Sequence, residues 1–244
     1  TRVVGGVLDV TTSGRGGSHA GVYFDSPNSP DGTNDYGVNG IVGGWATFAL
    51  NDWLYANTDN TTAQGGNMAY PYYQNNNNPA SWGSTSNVLI SSNPTSALNN
   101  TTINSLKFNT TAVTININAG QSLTLSSGGI LVPSTGAANT ISGGTLMGAA
   151  GADLVLLQNS LGNSLTISSV IADNGGATGL TTGGSGTSVL LGNNTYTGTT
   201  SVNAGFAGTP AGSLQIGNGG TSGSIANSSA VIDNGILTFN PSDD

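Results

Sequence analysis

"GNNTYTGTTSVNAG", residues 192–205, contains no charged residue and a single aromatic one, Tyr196. Glycine and asparagine suit tight turns, whereas threonine, tyrosine and valine suit β-strands. The stretch therefore predicts two short strands, Thr-Tyr-Thr and Thr-Ser-Val, between corners made by Gly-Asn-Asn and Asn-Ala-Gly. Asparagine and threonine side chains can also pair in ladders when similar segments lie on one another. We interpret the stretch as part of a stacked β-structure.

The composition of the whole chain extends this interpretation. Of 244 residues, 39 are glycine and only 6% are charged, against about 25% in ordinary soluble domains. All 11 acidic residues are aspartate, so the glutamate that helical proteins use heavily is absent. Disorder is the alternative that such a composition allows, but the apolar residues occur in short alternating runs between turn residues. The chain is therefore predicted to be all-β.

The alternating runs recur at a regular spacing. Their first apolar residues lie 19 to 25 residues apart, at Leu123, Leu146, Leu165, Val189, Leu214 and Leu237. Such a period, with strands and glycine turns, predicts a solenoid whose coils share one core. We expect the following side chains to point inward as stacked columns: Leu165, Ile167, Val189, Leu191, Val202, Leu214, Ile216, Leu237 and Phe239.

Residues 165–220, "LTISSVIADNGGATGLTTGGSGTSVLLGNNTYTGTTSVNAGFAGTPAGSLQIGNGG", resemble the passenger-associated, or autotransporter-associated, β-strand repeat of bacterial surface proteins. The matching positions are Gly184, Gly186, Thr187, Leu191, Gly192, Asn194, Thr195, Tyr196, Thr197, Gly198, Thr200, Val202, Gly205 and Leu214. The usual lysine is replaced around Thr181 and Thr182, and "FAGTPA" interrupts the path to the next strand. Residues 39–57 and 101–132 resemble earlier parts of such proteins more loosely. The resemblance implies a right-handed parallel β-helix, exported and exposed at the bacterial cell surface.

The domain organisation follows from this resemblance and from local composition. We expect N-terminal β-helix coils over residues 1–57 and β-helix with passenger-type repeats over 101–244. Between them, residues 58–100 are rich in Asn, Tyr and Pro and are interpreted as a loop-rich lateral extension in the first half of the chain.

One candidate metal site lies near the N-terminus. In "SPDGTNDYG" the carboxylates of Asp31 and Asp35, together with Asp25, offer the oxygen ligands that calcium prefers. The order of an EF-hand loop is absent, and Pro-Asp-Gly is a common turn. A plain loop is the alternative, and no cofactor is otherwise expected.

Aromatic residues concentrate in the first third of the chain. Their rings could stack on sugars, or pack an extension against the β-helix, which is the more usual role of Trp and Tyr. The residues are Trp45, Trp53, Tyr70, Tyr72, Tyr73 and Trp82.

Catalytic groups are few. His19 has no nucleophile motif near it, and the carboxylates of Asp153, Asp173 and Asp233 are not expected to converge, although glycoside hydrolysis needs two that do. With three cations and a net charge of −8, the chain is a poor partner for nucleic acid. No stretch approaches the roughly 18 apolar residues of a membrane-spanning helix, so no membrane insertion is expected. We therefore predict that the protein is not an enzyme.

The leading functional hypothesis is an extracellular structural protein that assembles head to tail into a surface filament. An unpaired strand edge can template further pairing, and strand-like sequence lies near both termini. The candidate assembly residues are Val4, Leu8, Val10, Leu237 and Phe239. The alternative is an adhesin-type passenger that binds polysaccharide or host surfaces, and a polysaccharide-active β-helix enzyme is the third.

Overall fold

The computed structural model describes residues 5–10, 41–54, 73–206, 208–225 and 227–242. Within these ranges the regular structure is β, apart from one 3-10 turn at Pro79–Ser81. The first three strands are β1 (Leu8–Val10), β2 (Ala46–Phe48) and β3 (Asp52–Trp53). The remaining strands are β4 (Tyr73–Gln74), β5 (Asn87–Ile90), β6 (Thr101–Ile103), β7 (Ser105–Phe108), β8 (Thr114–Leu125), β9 (Gly129–Val132), β10 (Asn139–Met147), β11 (Leu154–Gln158), β12 (Ser164–Ile167), β13 (Val170–Ile171), β14 (Leu180–Gly183), β15 (Thr187–Leu190), β16 (Thr200–Val202), β17 (Ser213–Gly220), β18 (Val231–Asp233) and β19 (Ile236–Pro241).

Strands β4 to β19 form a parallel β-solenoid, which confirms the predicted fold class. Sheet 1 has the order β18-β16-β14-β11-β9-β7-β5-β4, and sheet 2 the order β19-β17-β15-β12-β10-β8-β6 with β13 also paired to β10. From β5 onward the chain alternates between the two sheets, so one strand of sheet 1 and the following part of sheet 2 make one coil. All strand pairs within both sheets are parallel.

Two long strands of sheet 2 bend and thereby give the coil a third side. The register between β8 and β10 shifts between Gly143 and Thr145. The first half of β10 pairs with β12, and its second half pairs with β13. Residues paired between β8 and β10 lie 23 to 26 positions apart in the sequence, which is the length of one coil at the bend.

The core columns follow the predicted pattern, with one correction. Leu165 and Ile167 of β12 are fully buried and lie in register with Ser188 and Leu190 of β15. The prediction that Val189 and Leu191 point inward is therefore wrong by one residue. Val189 occupies the opposite face, and Leu191 is half-buried beyond the strand. In "SVLL", residues 188–191, the inward pair can be Val189 and Leu191 or Ser188 and Leu190. The structure has the second pair, which places a serine in the core.

Several buried positions are polar, and two asparagines among them hydrogen-bond to neighbouring coils. Asn139 accepts from the backbone N–H of Val113 at 2.9 Å. Asn194 accepts from the N–H of Ile171 at 2.8 Å and donates to the carbonyl of Ser224 at 2.9 Å. Asn194 thus links three successive coils, as expected for asparagine in the stretch 192–205.

The two ends of the solenoid differ. Trp82 precedes the first coil in the chain, is 8% exposed, and belongs to the main core cluster. Its indole N–H donates to the carbonyl of Asn76 at 3.2 Å, beside the 3-10 turn. We infer that residues 75–86 close this end. At the other end no described strand pairs with the outer edge of β18 or β19.

Strands β1, β2 and β3 form a separate sheet, here called the flanking sheet together with the rest of residues 5–10 and 41–54. β1 and β2 are parallel, and β3 is antiparallel to β2. We expected β-helix coils over 1–57 and an extension over 58–100. The described part of 1–57 is instead this flanking sheet, which packs on the outside of sheet 1 because both surfaces are apolar, and β4 and β5 lie within 58–100. The boundaries of the domains themselves stay a prediction.

Candidate functional site

The open coil, β18 and β19, carries most of the exposed large apolar side chains of the described chain. Val231, Ile232, Ile236 and Phe239 are 45 to 61% exposed. Leu237 and Phe239 lie in register with Leu214 and Ile216, so they continue the inward columns of the preceding coil. A hydrophobic coil whose outer edge pairs with no strand of the described ranges is a surface for further β-pairing.

The candidate assembly residues fall on two separate surfaces. Leu237 and Phe239 belong to the open coil, as expected. Leu8 and Val10 lie in β1 of the flanking sheet, where Val10 is buried. Val4 lies outside the described residues. The structure therefore does not bring Leu8 and Val10 to an end of the solenoid.

A polar cluster joins the flanking sheet to sheet 1. The Lys107 ammonium lies 2.6 Å from an Asp52 carboxylate oxygen, and both side chains are largely buried. The Tyr73 hydroxyl donates to the same oxygen, and the ammonium lies 5.0 Å from the centre of the Tyr73 ring. Burial, followed by the charge of Asp52, raises the pKa of Tyr73, so its hydroxyl stays protonated. Sequence reasoning missed this cluster, although a lysine inside the apolar strand "SLKF" was a usable signal.

The aromatic residues considered for glycan contact mostly pack. Trp53 is 1% exposed and Trp82 is 8% exposed, so neither ring offers a face to a sugar. Trp45 and Tyr73 are half-buried and pack against the cluster around Trp53. Tyr70 and Tyr72 lie outside the described residues.

The three aspartates considered for catalysis have separate local partners. Asp153 is buried and accepts a hydrogen bond from the Thr181 hydroxyl. Asp173 accepts from the backbone N–H groups of Thr178 and Thr197 and from the Thr197 hydroxyl, at 2.8 to 2.9 Å. The pKa of Asp173 is lowered, chiefly because the Thr178 N–H donates to its carboxylate. Asp233 accepts from Gly235 N–H at 3.0 Å. Asp173 and Asp233 thus hold corners of the chain, because backbone N–H groups donate to both carboxylates.

The calcium candidates Asp25, Asp31 and Asp35 lie outside the described residues, as does His19. Within the described ranges, no group of three or more His, Asp or Glu side chains could hold a metal ion. No helix in the described part of the chain is long and apolar enough to cross a bilayer.

Comparison with known proteins finds a relative that covers most of this chain. The adhesin BmaC autotransporter of Brucella suis biovar 1 (strain 1330) is 33% identical over an alignment of 217 residues that covers 80% of this chain. The chain is a homologue of part of an autotransporter adhesin. This homology, together with the β-solenoid, confirms the resemblance to the autotransporter-associated repeat proteins.

The match is local to a much larger protein. The chain spans 6% of the length of the adhesin. No profile of a known protein family matches the chain, and no solved structure is significantly similar to it.

Proposed function

We propose that this chain is a structural segment of an adhesin-type passenger that acts at the bacterial cell surface or outside the cell. The adhesin relative supports this role, as does a solenoid whose polar interior groups are used to join coils. The carboxylates Asp153 and Asp173 are likewise bound to neighbouring segments rather than aimed at a common point. The segment carries and spaces other parts of a surface protein and performs no catalysis.

The observation that carries this proposal is the open coil. Its inward columns end in Leu237 and the 61% exposed Phe239, and both stack in register on buried residues of β17. Covering an exposed Phe side chain stabilises a protein by about 1.5–3 kcal/mol. A further parallel coil of the same kind supplies that cover and continues the backbone ladder, which makes the solenoid a spacer of extendable length.

Extension of the solenoid tests this role. A chain with residues 200–242 repeated after residue 242 should bury Phe239, slow amide hydrogen exchange in β18 and β19, and raise the melting temperature. The matched control carries the same repeat with the copied Leu214 and Ile216 both changed to lysine. Equal exchange in β18 and β19 in the wild type, the extended chain and the control would contradict the spacer role.

Turnover assays test the absence of catalysis. We expect no new reducing or unsaturated ends from polyuronates, glucans or chitin. Turnover that disappears in Asp153→Asn or Asp173→Asn overturns the non-enzymatic proposal. Binding to a glycan array that is retained in the extended chain would add a polysaccharide ligand to the adhesin-type role.

Self-association is a second candidate, favoured by the same exposed coil. A second copy can cover Phe239 as a further coil would, and repetition of a head-to-tail contact gives a filament. Sedimentation and negative-stain microscopy should show polymers of the wild type and monomers of a Leu237→Lys, Phe239→Lys double variant. Polymers that persist in the double variant refute assembly through the open coil.

A further inference from the structure

The outer face of sheet 1 is covered by the flanking sheet. Leu131, Val155 and Leu157 are fully buried in a cluster with Ile41 and Trp53 of the flanking sheet. These three leucine and valine side chains belong to β9 and β11, on the face opposite the main core. The solenoid therefore has a second, lateral hydrophobic core.

Polar contacts extend the covered area in both directions along the sheet. At β7, Lys107 pairs with Asp52. Just after β11, the Asn159 amide donates to a flanking-sheet carbonyl at 2.8 Å. Just after β16, the Asn203 amide donates to the carbonyl of Gly5 at 2.9 Å. The strands β7, β9, β11, β14 and β16 are consecutive neighbours in sheet 1 and span about 19 Å.

Glycines on sheet 1 admit the flanking sheet at van der Waals distance. A Cβ atom on Gly129 would lie 2.3 Å from the Cα of Gly44 and 2.8 Å from the Trp53 ring. A Cβ on Gly183 would lie 3.1 Å from a Val7 methyl. The flanking sheet and sheet 1 therefore fit together closely enough for their backbones to be in contact. A loosely attached extension would not need glycine at these positions.

We propose that the flanking sheet couples the coils from β7 to β16 so that they unfold as one unit under load. In a simple solenoid each coil contacts only its neighbours, so coils can detach singly. Here one layer contacts five coils at once. Detaching any of them breaks contacts of the shared layer, which the other coils hold in place. This mechanical role goes beyond the proposed spacer function and does not depend on a ligand.

A pair of glycine substitutions isolates the contact. Gly129→Ala adds one methyl group at the closest approach of the flanking sheet and leaves the main core unchanged. Gly220→Ala, in β17, adds the same methyl group where no atom lies within 4 Å. Because neither glycine has a positive φ, alanine can adopt the local backbone conformation at both positions, and the two variants differ only in what the added methyl group meets.

Single-molecule pulling gives the direct readout. The chain has no cysteine, so Asn75→Cys and Asn240→Cys provide unique attachment points near the two ends. Residues 105–202 extend to about 33 nm, whereas one coil of about 24 residues extends to about 8 nm. The wild type and Gly220→Ala should release the long stretch in one step, and Gly129→Ala should release it in several steps near 8 nm. Wild-type traces with only 8 nm steps overturn the proposal, even if Gly129→Ala fails to fold.

Hydrogen exchange of the free chain gives an independent test. Asp52→Asn removes the charge that pairs with Lys107 at one limit of the contact. Asn109→Ala is the control beside β7, since the Asn109 amide donates to the Ser91 hydroxyl within the solenoid at 3.0 Å. Coupling predicts faster exchange in β14 and β16, three and four strands from Lys107, in Asp52→Asn alone. Faster exchange confined to β7 and its immediate neighbours would show a local ion pair and overturn the coupling.

Discussion

Two adjacent leucines provide a sharp test of the core register. Leu190 is fully buried between Ile167 and Ile216, which lie in the coils on either side. Leu190→Ala leaves a cavity that these neighbours cannot fill without moving their strands. A buried Leu→Ala change costs about 2–5 kcal/mol, and we expect about 3 kcal/mol here. Leu191 is half-buried, so Leu191→Ala loses part of its transfer free energy without a cavity, about 1 kcal/mol.

Thermal unfolding followed by circular dichroism compares the two variants. For a chain of this length 1 kcal/mol lowers the melting temperature by about 2–4 °C. We therefore expect a decrease of roughly 10 °C for Leu190→Ala and roughly 3 °C for Leu191→Ala. Each variant is the control for the other, because both remove the same atoms from neighbouring positions. An equal decrease, or a larger one for Leu191→Ala, refutes the register of β15 on β12.

Three further changes have defined outcomes. Because the pKa of Asp173 is lowered in the folded state, its contribution is present above the ordinary aspartate pKa of about 3.9 and is lost as pH falls below it. Asp173→Asn, which disturbs the bonds from Thr197, should flatten the acid side of the melting temperature–pH profile; an unchanged profile contradicts this. Burial raises the pKa of Tyr196 to about 12, so its hydroxyl stays bonded to Thr200, and Tyr196→Phe should cost about 1 kcal/mol in urea unfolding. Gly184→Ala should lower the melting temperature, since φ is +95° and a Cβ meets a backbone oxygen at 2.2 Å; wild-type melting would contradict that geometry.

The solenoid could be predicted because its signal is local and repeated. Leu165 and Ile167, then Leu214 and Ile216, each show an apolar alternation between turn residues, and the structure stacks them as expected. The apolar pattern does not predict the core where the inward residue is polar. Ser188 lies at such a core position, in register with Leu165.

The flanking sheet could not be predicted because its contacts are neither local nor periodic. Asp52 meets Lys107 across 55 positions of sequence, and Asn203 meets Gly5 across 198. Alternation predicts which faces of a strand are apolar, but in β7, β9, β11 and β14 of sheet 1 both faces are buried. Trp53 is buried because it belongs to that second core. From composition alone, its ring could either pack against the β-helix or contact a glycan.

The polar groups inside the solenoid favour one pairing of coils over the alternatives during folding. Coils of similar length and composition invite a slip in which one coil pairs with the next but one, and apolar columns alone scarcely resist it. A slip that separates Asn194 from Ile171 and Ser224 leaves a buried amide without its partners. Such a group costs about 1–3 kcal/mol. Coils of similar sequence are therefore still held in one order, because pairing with the wrong coil leaves a buried polar group without a partner.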